Sequence, residues 1–64
     1  MKVILSGGQT RDISIVEARI EDVLISLGIN PVEVVVARNG KVVSELDFVQ
    51  EDDELKVMRI VHGG

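Results

Sequence analysis

In one segment of the chain, apolar residues recur with a period of about 3.6 residues rather than 2, and this period limits the possible folds. Four aliphatic residues recur at i, i+3, i+4 and i+7, the pattern of one face of an amphipathic helix: Ile20, Val23, Leu24 and Leu27. Gly28 supplies a left-handed stop, so we expect one helix from about Arg19 to Leu27. In a chain of 64 residues, a single helix of this length must bury its apolar face against a sheet.

Two short strands joined by a tight turn are expected before the helix. Residues of alternating orientation make up Met1–Leu5 and Arg11–Ile15, and the intervening Gly7 and Gly8 supply the positive φ angles of a hairpin turn. Because a helix follows this hairpin, the first strand can also pair in parallel with a strand from the end of the chain.

Three further strands are expected after the helix. Val34–Ala37 and Lys41–Val43 flank Asn39-Gly40, which is the strongest two-residue signal for a type I′ hairpin turn. The closing strand is expected at Leu55–Val61.

The segment between the last two of these strands has no regular pattern. We expect Ser44–Gln50 to be irregular and to be anchored by Leu46 and Phe48. The order strand, strand, helix, strand, short strand, strand predicts an α+β roll: a mixed sheet of four to five strands packed on one helix. We expect residues 1–64 to form a single domain.

Composition excludes several classes of function. Eleven acidic and seven basic residues give a net charge of −4, and the chain has one aromatic residue, so it lacks the basic face and stacking aromatics of a nucleic-acid binder. No apolar run approaches the about 20 residues that cross a bilayer, so we expect no membrane partner. The chain contains no Cys, which is consistent with a reducing compartment, and we expect it to be cytoplasmic.

The sequence ends in two glycines. Because glycine has no Cβ, Gly63 and Gly64 can enter a channel too narrow for any other residue. Gly64 also leaves the terminal carboxylate sterically open. A frayed terminus is the ordinary alternative. We expect residues 61–64 to be a flexible tail.

Taken together, these features resemble the ubiquitin-like β-grasp superfamily and, within it, the small sulfur carriers ThiS and MoaD. The resemblance covers essentially the whole chain, and its most specific mark is Gly63-Gly64 in register with the last strand. The pair of prolines that often precedes the MoaD tail is absent, which favours ThiS. The other marks are spread along the chain: Leu27-Gly28-Ile29, Ala37–Val43, Asp53-Glu54-Leu55 and Val61-His62.

The resemblance implies chemistry that is performed on this protein by a partner. An adenylyltransferase similar to ubiquitin-activating enzymes would use ATP and Mg²⁺ to adenylate the carboxylate of Gly64, and a sulfur donor would convert it into a thiocarboxylate. Gly63, His62 and Val61 would thread into that enzyme. The sulfur acceptor is expected to be a thiazole synthase-like enzyme of thiamine biosynthesis, with molybdopterin synthesis and tRNA thiolation as alternatives. The resemblance implies that the chain is not an enzyme, with no catalytic residue, bound cofactor or metal of its own.

Two other functions remain open. The protein could be a ubiquitin-like modifier that is joined through Gly64 to lysines of target proteins, since both chemistries begin with adenylation. It could also be a non-covalent β-grasp binding module in which the glycines are incidental.

Strand alternation predicts an exposed apolar surface beside the tail. If Leu55 and Val57 point into the core, residues of the opposite parity point outward, both on the last strand and on its β-grasp neighbour. They form what we call the outer-face patch: Val35, Ala37, Met58 and Ile60. Contiguous exposed apolar surface marks an interface, and we expect this patch to bind the activating enzyme. If the parity is off by one residue, the same side chains are core.

Overall fold

The computed structural model describes residues 1–60. Expectations for Val61, His62, Gly63 and Gly64, including the flexible tail, lie outside the described residues. In chain order the elements are β1 (Lys2–Ile4), β2 (Thr10–Asp12), β3 (Glu17–Arg19), helix α1 (Ile20–Ser26), a 3-10 turn (Pro31–Glu33), β4 (Val34–Arg38), β5 (Lys41–Val43), β6 (Phe48–Gln50) and β7 (Glu54–Arg59).

Five strands form the main sheet in the order β2-β1-β7-β4-β5. The first and last strands, β1 and β7, pair in parallel, whereas the other neighbours are antiparallel. Helix α1 packs on one face of this sheet and buries three residues of its apolar stripe, Ile20, Val23 and Leu24. The α+β β-grasp roll is therefore confirmed, as is the parallel pairing of the chain's two end strands. In the part of the chain that is described, no helix is long and apolar enough to cross a bilayer.

Turn chemistry sets the register of both predicted hairpins. Asn39 and Gly40 have φ angles of 51° and 84°, so both central residues are left-handed, as a type I′ turn requires. This turn places Arg38 opposite Lys41. In the first hairpin, the Leu5 amide donates to the Gln9 carbonyl at 2.7 Å.

Two predicted boundaries differ from the structure. β2 is Thr10–Asp12 rather than Arg11–Ile15. Its pairing with the first strand continues only to Ile13, whose amide donates to the Met1 carbonyl at 2.9 Å and whose carbonyl accepts from the Met1 amino group at 2.7 Å. The helix starts at Ile20 because Arg19 is extended and still belongs to β3.

The prediction that residues 44–50 are irregular is wrong for the second half of that segment. Phe48–Gln50 forms β6, which pairs antiparallel with β3 (Glu17–Arg19) in a separate two-stranded sheet. Three residues per strand are too few for alternation to stand out from the surrounding polar residues. The sheet continues into the start of the helix, where the Ile20 amide bonds to the Asp47 carbonyl at 2.9 Å.

The predicted anchors of that segment are also wrong. Leu46 is 57% exposed and Phe48 is 48% exposed, whereas Val49 is fully buried in the core. The pairing of β3 with β6 explains why Val49 is buried and Phe48 is not. Val49 lies opposite Ala18 on the inner side, and Phe48 lies opposite Arg19 on the outer side. There the Arg19 guanidinium lies 5.3 Å from the centre of the Phe48 ring, a cation–π contact.

Replacing Val49 and Phe48 separately tests which of them anchors the segment. Val49→Ala removes buried methyl groups and leaves a cavity, so we expect the free energy of unfolding to fall by about 2 kcal/mol. Phe48→Ala removes a half-exposed ring and is expected to cost less than about 1 kcal/mol. Urea denaturation of both variants measures the difference, and a larger loss for Phe48→Ala would contradict the assignment.

A polar junction ties the tip of the β4–β5 hairpin to the start of β7. The Asn39 amide donates to the Glu54 carbonyl at 2.8 Å, and the Glu54 amide donates to Asn39 Oδ1 at 2.9 Å. Asp53 completes the junction by accepting hydrogen bonds from Asn39 Nδ2 and from the Gln50 amide, both at 2.8 Å. The Gln50 amide, followed by the Asn39 side chain, lowers the pKa of Asp53 below its ordinary value, with a smaller contribution from the charge of Arg38.

The junction predicts a pH-dependent stability difference. Asp53→Asn loses the bond to Asn39 Nδ2, so we expect it to lower the free energy of unfolding by about 1 kcal/mol at pH 7. Because the folded pKa of Asp53 is lowered, this contribution is present above its unfolded pKa, about 3.9, and is lost as the pH falls through the lower folded value. Urea midpoints of the two proteins should therefore converge on acidification. If the difference between the two urea midpoints stays constant down to pH 2.5, the charge of Asp53 does not contribute to stability.

Candidate partner-binding site

Buried and exposed residues lie on opposite faces of the main sheet, as strand alternation predicts. Val36 and Val57 lie opposite each other and are buried under α1, whereas Val35 and Met58 form the next pair and lie on the outer face. Val35 is 38% exposed and Met58 is partly buried. The predicted parity is confirmed at these positions, and the alternative shifted by one residue is excluded.

Ile60 continues the same outer parity just after the end of β7. Its amide donates to the Glu33 carbonyl at 2.9 Å, and its side chain is 38% exposed. The regular strand thus ends at Arg59, short of the predicted Val61. Arg59 lies opposite Val34, and its Nη2 atom is 3.8 Å from Glu33 Oε2 in an exposed ion pair.

Ala37 was predicted to be an exposed residue of the outer-face patch, and this prediction is wrong. It has the expected outer parity, but it is only 6% exposed and therefore offers almost no surface. Lys56 on β7 and Val42 on β5 stand directly opposite it on its two sides. Because alanine projects only a methyl group and cross-strand Cβ atoms lie about 5 Å apart, these longer neighbours leave little of it accessible.

Val42 was missed by the sequence analysis and lies beside the patch. It is 68% exposed and shares the outer face with Val35. The signal was present in the sequence, since a two-residue turn at Asn39-Gly40 fixes Val42 opposite Ala37. The apolar surface therefore runs across three adjacent strands, from β5 through β4 to β7.

Charged side chains border this surface on the side of β1. Lys2 lies opposite Glu54 and Ile4 lies opposite Lys56, all with outer parity. An apolar centre with a charged rim is the usual arrangement of a protein–protein interface. Among residues 1–60, no group of three or more His, Cys, Asp or Glu residues is placed to hold a metal ion.

The patch is close in sequence to the predicted reactive end. Four residues follow Ile60, and an extended chain of that length reaches about 13 Å. A partner that covers Met58 and Ile60 can therefore have its own reaction centre within reach of Gly64. The predicted sulfur attachment site, Gly64, and the residues predicted to thread into the activating enzyme, Val61, His62 and Gly63, lie outside the described residues.

Comparison with known proteins gives two matches over nearly the whole chain. The family described as small archaeal modifier protein 2 matches residues 1–61. The sulfur carrier protein TtuB of Thermus thermophilus is 32% identical over 65 aligned positions, which cover 100% of this chain and 100% of that protein.

Proposed function

Because the chain belongs to the small archaeal modifier protein 2 family, we propose that it is a ubiquitin-like carrier of sulfur on which other enzymes act. The observation that carries the proposal is the match to a sulfur carrier protein along the full length of both chains. The five-stranded sheet with one helix and the Gly63-Gly64 end of the sequence support it.

The proposed chemistry takes place at the carboxylate of Gly64. A carboxylate is a poor electrophile because its leaving group would be oxide. In the activating enzyme, a carboxylate oxygen attacks the α-phosphate of Mg²⁺-bound ATP, and pyrophosphate leaves. Hydrosulfide then attacks the acyl carbon, a C–S bond forms, the bond to AMP breaks, and the released proton goes to solvent. The resulting thiocarboxylate is a good nucleophile at neutral pH.

The outer-face patch is proposed as the surface that the activating enzyme covers. Val35, Met58 and Ile60 are apolar and lie on the open side of the sheet, and Val42 extends them. Exposure of such surface to water is unfavourable, and its burial against a partner lowers the free energy. Ala37 contributes backbone and packing rather than contact area.

The sulfur acceptor is proposed as a thiazole synthase-like enzyme, and this part of the proposal depends on the resemblance to ThiS alone. Molybdopterin synthesis and tRNA thiolation are the other acceptor pathways that the resemblance admits. A cytoplasmic location, where ATP and reduced sulfur are available, is also part of the proposal.

A second function is favoured by the description of the family, which is named for a modifier protein. In that function the adenylated Gly64 is attacked by the amine of a lysine on a target protein, AMP leaves, and an isopeptide bond forms. Because both functions share the adenylation step, they can be separated only by the fate of Gly64.

The test uses the absence of cysteine from this chain. After incubation with its activating enzyme, ATP, Mg²⁺ and sulfide, the protein is treated with iodoacetamide and its intact mass is measured. Alkylation that fragmentation assigns to Gly64 supports the carrier function, since a thiocarboxylate is then the only thiol-like group on the chain. Alkylation also separates the thiocarboxylate, in which sulfur replaces one oxygen, from a sulfoxide at Met1 or Met58, whose mass shift is nearly the same before alkylation.

Larger species linked through Gly64 to lysines, without alkylation, would favour the modifier function instead. Neither product, with an enzyme shown to be active on another carrier, would reject both functions.

A further inference from the structure

The main sheet contains a gap beside the second half of β7. Pairing between β1 and β7 runs from Lys2–Glu54 to Ile4–Lys56 and stops there, because β1 turns away at Leu5. Pairing between β4 and β7 continues to Arg59. Val57–Arg59 therefore has a partner strand on one side only.

Backbone direction shows that this edge is open. The Glu54 carbonyl and the Ile60 amide both bond on the β4 side, so the even-numbered residues of this strand face β4 and the odd-numbered ones face the gap. The amide and carbonyl of Arg59 consequently point toward the turn formed by Ser6–Gln9. No backbone hydrogen bond among the described residues joins Arg59 to that turn. An open edge of this kind is a template for pairing with another chain.

A cavity lies on each side of the sheet at the same gap. The outer cavity has a volume of about 430 Å³ and the inner one about 290 Å³, and both are lined by Leu5, Ser6, Val57 and Arg59. An added strand sends successive side chains to opposite faces of a sheet. Room on both faces of the gap is what such a strand needs.

The linings of the two cavities differ in character. Lys56 lines the outer cavity, and no acidic residue does, although the chain as a whole carries a net charge of −4. Arg59 lines both cavities, and its guanidinium pairs with Glu33 of the inner one. The inner cavity has a mixed lining. Aliphatic side chains come from Leu5, Ile29, Val34 and Val57, and Glu33 makes the acidic side chains of an occupant unfavourable on this face. The occupant that fits has acidic side chains toward the outer face and aliphatic side chains toward the inner face.

We propose that this gap binds an extended acidic segment of a partner protein, which adds to the sheet as a strand along Val57–Arg59. Backbone hydrogen bonds to Arg59 hold the segment, and Lys56 attracts its acidic side chains. The gap is a second docking site that adjoins the outer-face patch, since Met58 belongs to the patch and also lines the outer cavity. It functions whether or not Gly64 is activated, so it stands independently of the proposed function.

The test uses a synthetic heptapeptide in which Glu or Asp alternates with Val, titrated into the full-length protein and followed by amide NMR. We expect saturable binding with a Kd below about 1 mM. Shifts should be largest at Ile4–Gly8 and Val57–Arg59, and hydrogen exchange of the Arg59 amide should slow by at least about fivefold. A control peptide with Lys at the acidic positions should bind at least about fivefold more weakly.

Two matched variants test the charge argument. Lys56→Glu should weaken binding of the acidic peptide about fivefold, whereas Lys41→Glu, the same change at the tip of the β4–β5 hairpin, should alter it by less than about twofold. Urea midpoints confirm that both variants fold. The proposal is overturned by equal binding of the two peptides, by shifts centred on Val42 at the other sheet edge, or by no saturation at about 1 mM peptide. Concentration-dependent shifts at Val57–Arg59 without peptide would assign the gap to a second copy of this chain and would also overturn it.

Discussion

Replacing Gly64 by alanine is expected to reduce the rate of thiocarboxylate formation by at least about 100-fold. The added methyl group occupies space beside the carboxylate that the activating enzyme needs, and a displacement of about 1 Å at a reacting group can cost a factor of that size. Deleting Gly64 should have an equal or larger effect, since it withdraws the carboxylate by about 3.5 Å. Single-turnover assays with the activating enzyme, ATP and sulfide measure the rate.

The control for this prediction is stability. Gly64 follows the last strand by five residues, so the free energy of unfolding should stay within about 0.5 kcal/mol of the wild type for both variants. If the deletion leaves thiocarboxylate formation unchanged, the reaction does not require Gly64, and the proposed attachment site is wrong.

Aspartate at two neighbouring positions of β7 is expected to have opposite consequences. Met58→Asp places a charge on the open face, so the protein should fold, and its Kd for the activating enzyme should rise about 10- to 100-fold. Val57→Asp buries a charge in the core beneath α1 and should unfold the protein, because an unpaired buried carboxylate costs more than a domain of this size can supply. Circular dichroism and titration calorimetry measure the two effects.

A third variant shows whether the binding effect is specific to the patch. Val16 is exposed and lies outside the outer-face patch, so Val16→Asp introduces the same charge without touching the proposed interface. It should leave both the fold and the Kd for the activating enzyme unchanged. If Val16→Asp and Met58→Asp weaken binding of the activating enzyme to a similar extent, the cause is the change in net charge rather than a contact at the patch. Unfolding of Met58→Asp would instead show that Met58 is essential to the core.

The sequence predicted the parts of the fold in which local chemistry and long-range packing agree. The helical spacing from Ile20 to Leu27 and the Asn39-Gly40 turn each require one local structure, and the structure has both. Alternation along the last strand, from Leu55 and Val57 on the inner side, also placed Met58 on the outer face. These features depend on residues that are close in the sequence.

What could not be predicted depends on residues far apart in the chain. β3 and β6 are three residues each, and they are strands only because Ala18 and Val49 meet across 31 positions to close the core. Nothing within Phe48–Gln50 shows that its valine, rather than its phenylalanine, is the buried residue. Burial of Ala37 likewise depends on the lengths of side chains on two other strands.

The gap beside β7 has the same origin. Sequence patterns place strands, but they do not say where two neighbours in a sheet stop pairing. Here β1 ends after three residues while β7 has six, and only the assembled sheet shows the unpaired length that remains.

The parallel pairing of β1 with β7 also determines how the protein responds to mechanical force. The two strands run side by side in the same direction, and each leads to an opposite end of the chain. Tension applied between Met1 and the residues beyond β7 therefore loads their hydrogen bonds in shear, so these bonds must break together rather than one after another. A protein attached through Gly64 would pull on the middle strand of the sheet, which β1 holds at Glu54–Lys56 and β4 holds from Leu55 to Arg59. Such a domain should resist being pulled apart more strongly than one whose last strand lies at an edge.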